Sequence, residues 1–202
     1  IVVVITDGKA TTGITQSSRI IGEISKLNDN ISLYVLGTHG RANGYLLDML
    51  SFCNRGEQII VTSGRWDIPQ AIERLVASCK DPILGRIGIT TDSSSKAELF
   101  PLPSANLYAG KPLTYYGACD DSTQKIVLQV RGEGGSAKCD IIFNIDLSTA
   151  LKARTDLKAE WAKRKMHTLV GAYARTPSRE LLLEMQRLSF ETGLPIPYQG
   201  EF

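Results

Sequence analysis

The residue best placed to do chemistry is Asp7, which follows the apolar run Ile1 to Ile5 in the sequence Thr6-Asp7-Gly8. A continuous run of β-branched residues is typical of a parallel-sheet strand that is covered on both faces. The turn after such a strand lies at the carboxyl edge of the sheet, where α/β folds build their sites. Asp7 is therefore the first candidate site residue.

The residue types leave three interpretations of Asp7 open. It is a turn former paired with nearby backbone amides, a magnesium ligand on a Walker-B-like strand, or one oxygen ligand of a shared divalent-cation site. The chain contains no Gly-x-x-x-x-Gly-Lys-Ser/Thr loop, which counts against the Walker-B interpretation.

The other candidates for catalysis or ligand binding are isolated in the sequence. The two histidines, His39 and His167, lie far apart, which argues against a zinc centre. No Gly-x-Ser-x-Gly elbow occurs, and a hydrolase triad stays open only because its members meet in space rather than in sequence. Asp92-Ser93-Ser94-Ser95 is interpreted as a polar loop. The basic run Lys163-Arg164-Lys165 is interpreted as a solvated helix face rather than a site for an anionic partner.

The cysteines leave the redox compartment open. The four, Cys53, Cys79, Cys119 and Cys139, have no metal-ligand spacing. A disulfide between Cys119 and Cys139 is compatible with neighbouring strands, and buried free thiols are equally compatible with the sequence.

The elements that must position Asp7 alternate between strand and helix over residues 1–80. Short connections between such elements predict a parallel α/β sheet with right-handed crossovers. Thr15 is the predicted N-cap of the first of the three helices in this region, and Asp67 is the predicted N-cap of the third. The predicted elements are strands at 1–5, 31–36 and 58–62, and helices from 15 to 27, from about 46 to near 56, and from 67 onward.

The pattern changes near Pro82. Strands bounded by Gly, Pro and Asp predict an antiparallel, β-sandwich-like unit at 81–147, with Gly132 to Gly135 as a hairpin loop and Phe100 to Pro103 as an edge or crossing loop. Residues 148–202 are predicted to form a helical hairpin. Its first helix spans about 147–174, and its second starts at Thr176-Pro177 and ends at Gly193.

Composition excludes several classes of protein. The 202 residues are 43% hydrophobic and 22% charged, which is ordinary for a folded domain and not for a disordered chain. A net charge of +2 argues against a dedicated nucleic-acid binder. No apolar run approaches the roughly 20 residues of a membrane-spanning helix. Because the sequence opens inside an apolar strand at Ile1, we expect it to be part of a longer protein.

Several motifs resemble the von Willebrand factor type A domain. Ile1 to Gly8 resembles its central strand, Ser32 to Gly37 its next strand, Asn43 to Leu50 its Asn-x-x-Leu-Leu helix and Gln58 to Thr62 its last strand. The later segments Phe100 to Gly117, Trp161 to Met166 and Leu188 to Leu194 are similar to the inter-alpha-trypsin inhibitor heavy-chain (VIT/VWA) group. The resemblance thus spans nearly the whole chain. It implies a partial, Rossmann-like A-domain sheet, followed by the β-sandwich-like unit and the helical hairpin.

The resemblance also implies a function and a site. The family binds Mg²⁺ or a similar cation, such as Ca²⁺, and Asp7 matches the ligand that follows the central strand. The family's other ligands would precede Ile1, so this chain alone is not expected to complete the site. Thr6 and Gly8 would shape the turn, and the loop Thr38 to Asn43, with His39, would contact a protein partner.

We therefore expect a non-catalytic, extracellular or cell-surface protein that binds or adheres to a protein ligand, dependent on a cation in the intact parent. Two alternatives stay open. One is a structural subunit of a larger complex, with a vestigial metal site. The other is a metal-assisted hydrolase or ATPase component. For the location, the alternative is the cytoplasm.

Overall fold

The computed structural model describes residues 1–92, 97–100, 105–135, 137–151 and 156–201, and it shows a mixed α/β chain. The chain divides into two compact units. The first contains Ile1–Lys80, Leu169–Arg187 and Pro195–Phe202, and the second contains Asp81–Thr168 and Leu188–Leu194. The change of unit falls between Lys80 and Asp81, and the C-terminal helices contribute residues to both units.

The first unit contains the predicted parallel sheet. Its strands β1, β2 and β3 lie in the order β1-β2-β3, and both pairings are parallel. Helices connect or follow the strands, as the alternating pattern predicts. The elements are β1 (Val2–Thr6), α1 (Ser17–Leu27), β2 (Leu33–Gly37), α2 (Gly44–Cys53), β3 (Gln58–Ile60) and α3 (Ile68–Ser78).

The core of this unit lies against β2. Leu33 and Val35 pack with Leu47 and Leu50 of α2 in one buried cluster. Every residue of β2 is buried, since β2 has a strand on each side and contacts α2 and α3.

The predicted burial of β1 on both faces is wrong within the described part of the chain. Val2, Val3 and Ile5 are each at least two-fifths exposed, and only Val4 reaches the core cluster. The reason is position, because β1 is an edge strand here and has a neighbour on only one side. The run of β-branched residues identified the strand but not its place in the sheet.

The two predicted helix caps have different outcomes. The Thr15 cap is wrong, because α1 begins after Gln16 and makes no side-chain cap bond. Asp67 does occupy the N-cap position of α3, but its carboxylate accepts a hydrogen bond from the Ser63 hydroxyl and makes no cap bond. In contrast, the Asn43 side chain caps α2 by accepting a hydrogen bond from the amide of Leu46 at 3.0 Å.

The second unit is built on antiparallel strands, as predicted. Four of them pair in the order β6-β4-β8-β9, and β5 pairs separately with β7. The sandwich-like arrangement stays a prediction, and residues 93–96 and 101–104, which include Ser93 to Ser95 and Pro101 to Pro103, lie outside the described residues. The strands are β4 (Pro82–Thr91), β5 (Glu98–Phe100), β6 (Ala105–Tyr108), β7 (Tyr116–Ala118), β8 (Lys125–Gly134) and β9 (Ala137–Asp146).

The predicted hairpin loop at Gly132 to Gly135 is mostly strand. The β8–β9 ladder continues through Gly132 paired with Cys139, and as far as Gly134 paired with Ala137. A glycine run predicts a loop, but here β9 pairs with β8 along most of the run and provides regular backbone hydrogen bonds.

The two C-terminal helices begin later than the sequence predicts. Helix α4 spans Leu157–Arg175, and Leu147–Thr149 forms a separate short 3-10 turn rather than the start of α4. Helix α5 spans Arg179–Thr192 and lies just beyond Pro177. The Ser178 hydroxyl accepts a hydrogen bond from the amide of Leu181 at 3.2 Å, which places the cap after the proline rather than at it. Among the described residues, no helix is both long and apolar enough to cross a membrane.

Candidate functional site

The carboxyl edge of the parallel sheet brings together the residues that the sequence singles out. We call Thr6, Asp7, Gly8, Thr38, His39 and Asn43 the edge cluster. Parallel pairing sets Thr6 beside Gly37, so the turns after β1 and β2 leave the sheet next to each other. The amide of Thr38 donates to the carbonyl of Thr6 at 3.3 Å across these turns.

The turn at Asp7 is closed by its own side chains. The Thr6 hydroxyl accepts from the amide of Gly8 at 3.0 Å, and one Asp7 carboxylate oxygen accepts from the amide of Lys9 at 3.0 Å. Gly8 has a φ of +70°, and a Cβ there would lie 3.1 Å from Leu47 Cδ2. A glycine is therefore favoured at this position on both conformational and steric grounds.

Asn43 links three elements at this edge. Its backbone amide donates to the carbonyl of Asp7 at 2.8 Å, and its side-chain oxygen caps α2. Its side-chain nitrogen donates to the hydroxyl of Ser17, at the start of α1, at 3.0 Å. One residue thus fixes the turn after β1 relative to both helices. Ser17 is the residue that sequence reasoning missed, and its position at the helix start was the available signal.

His39 stands opposite the Asp7 carboxylate. His39 Nδ1 accepts a hydrogen bond from the amide of Arg41 at 3.0 Å, so the neutral ring carries its proton on Nε2. That nitrogen lies 3.9 Å from Asp7 Oδ2, which is beyond hydrogen-bond distance. The two side chains are 47% and 42% exposed, respectively, so both are accessible to a partner from solvent.

The edge cluster supplies little of a complete cation site. Among the described residues, no group of three or more His, Cys, Asp or Glu residues is arranged to hold a metal ion. One oxygen of Asp7 is already hydrogen-bonded to Lys9, and the Asn43 side-chain oxygen is committed to α2. Magnesium requires near-octahedral oxygen coordination, so these residues do not fit a whole magnesium site.

The other predicted candidates lie away from this edge. His167 is half-buried on α4. Within the basic run, Lys163 pairs with Glu160 at 2.7 Å, and Lys165 pairs with Glu98 at 2.9 Å. Lys163 and Arg164 are exposed, as a solvated helix face predicts, whereas Lys165 is largely covered and is held by Glu98.

All four cysteines are free thiols. The Cys119–Cys139 disulfide is therefore not formed, and Cys119 is exposed rather than buried. Cys53 donates to the carbonyl of Gly171 at 3.5 Å, and burial raises the pKa of its thiol to about 11. A thiol held in its neutral form is a poor nucleophile, so Cys53 acts as a packing residue.

A cavity of about 460 Å³ lies elsewhere in the first unit. It is lined by α1, the end of α4, the start of α5 and the residues between those two helices, and its cationic residues are Lys26 and Arg175. Lys26 already pairs with Glu23 at 3.2 Å. None of the edge-cluster residues lines this cavity.

Two comparisons, with protein-family models and with curated proteins, found no relative of this chain. The mixed α/β class and the parallel sheet therefore rest on the structure alone, and the resemblance to the A domain stays an expectation.

Proposed function

We propose that this chain is part of a non-catalytic protein-binding module of the von Willebrand A type, and that its partner binds at the edge cluster. The single observation that supports this is that the turn after β1 and the loop after β2, which carry the edge cluster, leave the sheet side by side and are hydrogen-bonded to each other. A rigid scaffold that presents exposed polar side chains on loops is the usual arrangement of a binding surface.

The chemistry of the edge cluster favours a polar partner. Asp7 offers a carboxylate oxygen, and His39 offers an Nε2–H donor, on side chains that are both exposed. Helix α2 begins next to Asp7, so the positive end of its dipole lies at the same edge and favours an acidic group of the partner.

We further propose that Asp7 acts as one ligand of a Mg²⁺ or Ca²⁺ ion in the full-length protein. The remaining ligands would come from residues outside this chain, from water or from the partner, because the described residues do not form the whole site. The support for this part of the proposal is the exposed carboxylate at the carboxyl end of a parallel strand.

Calorimetric titration of the full-length protein with MgCl₂ and CaCl₂ tests this proposal. We expect Asp7→Asn to weaken cation binding by at least the roughly 10–100-fold that loss of an outer-sphere partner costs. Asp121→Asn, which removes an exposed carboxylate in the second unit, is the matched control and should leave the affinity unchanged. Absence of cation binding, or binding that Asp7→Asn leaves intact, contradicts the cation proposal.

One observation favours the structural-subunit alternative. Ile1, Val2, Val3 and Ile5 expose apolar surface along β1, and contiguous apolar surface commonly marks an interaction site. A scaffold of this kind keeps its assembly in the presence of a chelator. Persistence of the assembly in EDTA, together with no effect of Asp7→Asn, supports the scaffold over the cation-dependent binder.

A further inference from the structure

Strand β9 is the outer strand of the four-stranded sheet and is unusually apolar for that position. Within the described residues it pairs only with β8. All of its residues from Ile141 to Asp146 are exposed. Four large apolar side chains are among them: Ile141 is 46%, Ile142 60%, Phe143 48% and Ile145 38% exposed. Edge strands normally carry features that prevent pairing, so exposed apolar residues on both faces indicate a strand that binds another strand.

The register of β8 and β9 determines which backbone groups of β9 are available. Gln124 and Leu147 stand one position beyond the Lys125–Asp146 pair, and the amide of Leu147 donates to the carbonyl of Gln124 at 2.8 Å. Successive residues of a strand direct their backbone groups to opposite sides. The odd-numbered residues of β9 therefore face β8. The even-numbered residues from Lys138 to Asp146 direct their N–H and C=O groups to the open edge.

We propose that β9 pairs antiparallel with β9 of a second copy of this chain, about a two-fold axis at Ile142. In this register the open-edge groups of the even-numbered residues pair with one another from Lys138 to Asp146. The Asp146 carbonyl, at the end of the ladder, also accepts a hydrogen bond from the Thr149 hydroxyl at 2.9 Å and would use its second lone pair for the partner. Lys138 stands opposite the partner's Asp146 at both ends of the ladder, and Asp140 stands opposite the partner's Asn144. On the other face, Ile141 stands opposite the partner's Phe143. Opposite charges and apolar pairs directly across a ladder are both stabilising.

The neighbouring registers are less favourable for reasons that the sequence supplies. Centred on Phe143, the pairing sets Asp140 opposite the partner's Asp146, and like charges directly opposite are destabilising. Centred on Ile141, it sets Asp140 opposite the partner's Ile142 and leaves Lys138 opposite the partner's Asn144. The register centred on Ile142 is the one of the three that matches charge at both ends and apolar residues in the middle. Charge complementarity therefore identifies the occupant of this edge as a second copy.

Sedimentation velocity of the chain over roughly 1 to 500 µM tests the pairing, because a single strand pair buries little area and gives a weak dimer. We expect a concentration-dependent dimer for the unsubstituted chain. Ile142→Lys places two ammonium groups together at the axis and should raise the dissociation constant at least about tenfold. Ile83→Lys is the matched control, because Ile83 is a similarly exposed isoleucine (51%) that lies on β4 rather than on β9. The Ile83→Lys variant should dimerise as the unsubstituted chain does.

Oxidative crosslinking tests the register, in a background with Cys119→Ser and Cys139→Ser. A directly opposite, hydrogen-bonded antiparallel pair has a Cα–Cα distance of about 5.5 Å, which a disulfide can span. Ile142→Cys should therefore crosslink to the same position of the partner. Asn144→Cys should not, because the two copies of position 144 are about 14 Å apart in this register.

A chain that stays monomeric throughout the concentration range overturns the proposal, as does a dimer that Ile142→Lys leaves unchanged. Crosslinking that is faster at Asn144→Cys than at Ile142→Cys also overturns the assigned axis. Far-ultraviolet circular dichroism of each variant distinguishes lost pairing from lost folding.

Discussion

Strands β2 and β9 are both rich in large apolar residues, yet their environments are opposite. Leu33 to Leu36 of β2 are at most 8% exposed, whereas the apolar residues of β9 are 38% to 60% exposed. Strand β2 has a strand on each side and helices in contact with it, whereas β9 pairs only with β8 among the described residues. The comparison shows that the number of neighbours, and not apolar content, decides burial here. The same residue types stabilise the fold in β2 and are available for association in β9.

The largest expected difference concerns side-chain truncation. Leu47→Ala removes a fully buried side chain that packs against Leu33 and Val35, and should lower the free energy of unfolding by about 2–5 kcal/mol. Ile142→Ala, measured in dilute solution, removes exposed surface and should cost less than about 1 kcal/mol. Urea denaturation, with hydrogen exchange of the β2 and β8 amides, measures both changes. Equal losses for the two variants contradict the contrast between these strands.

A smaller effect is expected from adding a methyl group to a glycine. A Cβ at Gly56 would overlap the carbonyl oxygen of Leu33, so Gly56→Ala should lower the free energy of unfolding by about 1–3 kcal/mol through a forced backbone shift. A Cβ at Gly88 of β4 would meet open space, and Gly88→Ala should be neutral or stabilising by up to about 1 kcal/mol. Thermal unfolding of the two variants provides the measurement. If Gly56→Ala leaves the free energy of unfolding unchanged, the turn after α2 is less tightly packed than its geometry indicates.

The most gradual effect expected is a loss of stability at alkaline pH in the first unit. Burial raises the pKa of Cys53 from 9.0 to about 11 and the pKa of Tyr45 from 10.0 to about 12. Burial, and then the nearby Asp48 carboxylate, also raises the pKa of Tyr198, whose hydroxyl donates to Asp48 at 2.9 Å. Raised values in the folded state mean that the unfolded chain loses these protons first. The stabilisation is therefore complete below about pH 9 and declines as pH rises toward 12.

Urea midpoints measured between pH 8 and 12 test this linkage. Tyr198→Phe loses the hydrogen bond to Asp48 at every pH but should flatten the decline above the ordinary tyrosine pKa of 10.0. A decline of the same steepness in the variant shows that Tyr198 does not contribute to the pH dependence.

The sequence predicted the parallel sheet and the edge cluster because both depend on local signals. The run Ile1 to Ile5, the turn chemistry of Thr6-Asp7-Gly8 and the capping residue Asn43 each act within a few residues of their own position. The parallel pairing of β1 and β2 then places the turns that follow them side by side, and no long-range sequence signal is needed. Local signals of this kind are enough to place loops on a common sheet edge.

The failures have a non-local cause. Thr15 and Asp67 are good cap residues by type, but Asp67 is bonded to Ser63, and α1 starts two positions after Thr15. The extension of β8 through Gly132 depends on its pairing with Cys139. The contact of Tyr198 with Asp48 joins residues 150 positions apart, and no pattern near either residue predicts it. Exposure of β1 and β9 depends likewise on how many strands flank them.

The bonding of Asn43 separates the residues that hold the edge cluster together from those that face outward. Its hydrogen bonds fix the turn after β1 and the starts of α1 and α2, whereas Asp7 and His39 each accept a hydrogen bond from a backbone amide of their own loop. A combinatorial library at those two positions, with Asn43 kept and a hydrogen-bond acceptor retained at each, would vary the exposed chemistry of the edge while its support stays in place. Such a library measures directly whether the edge is the recognition surface proposed above.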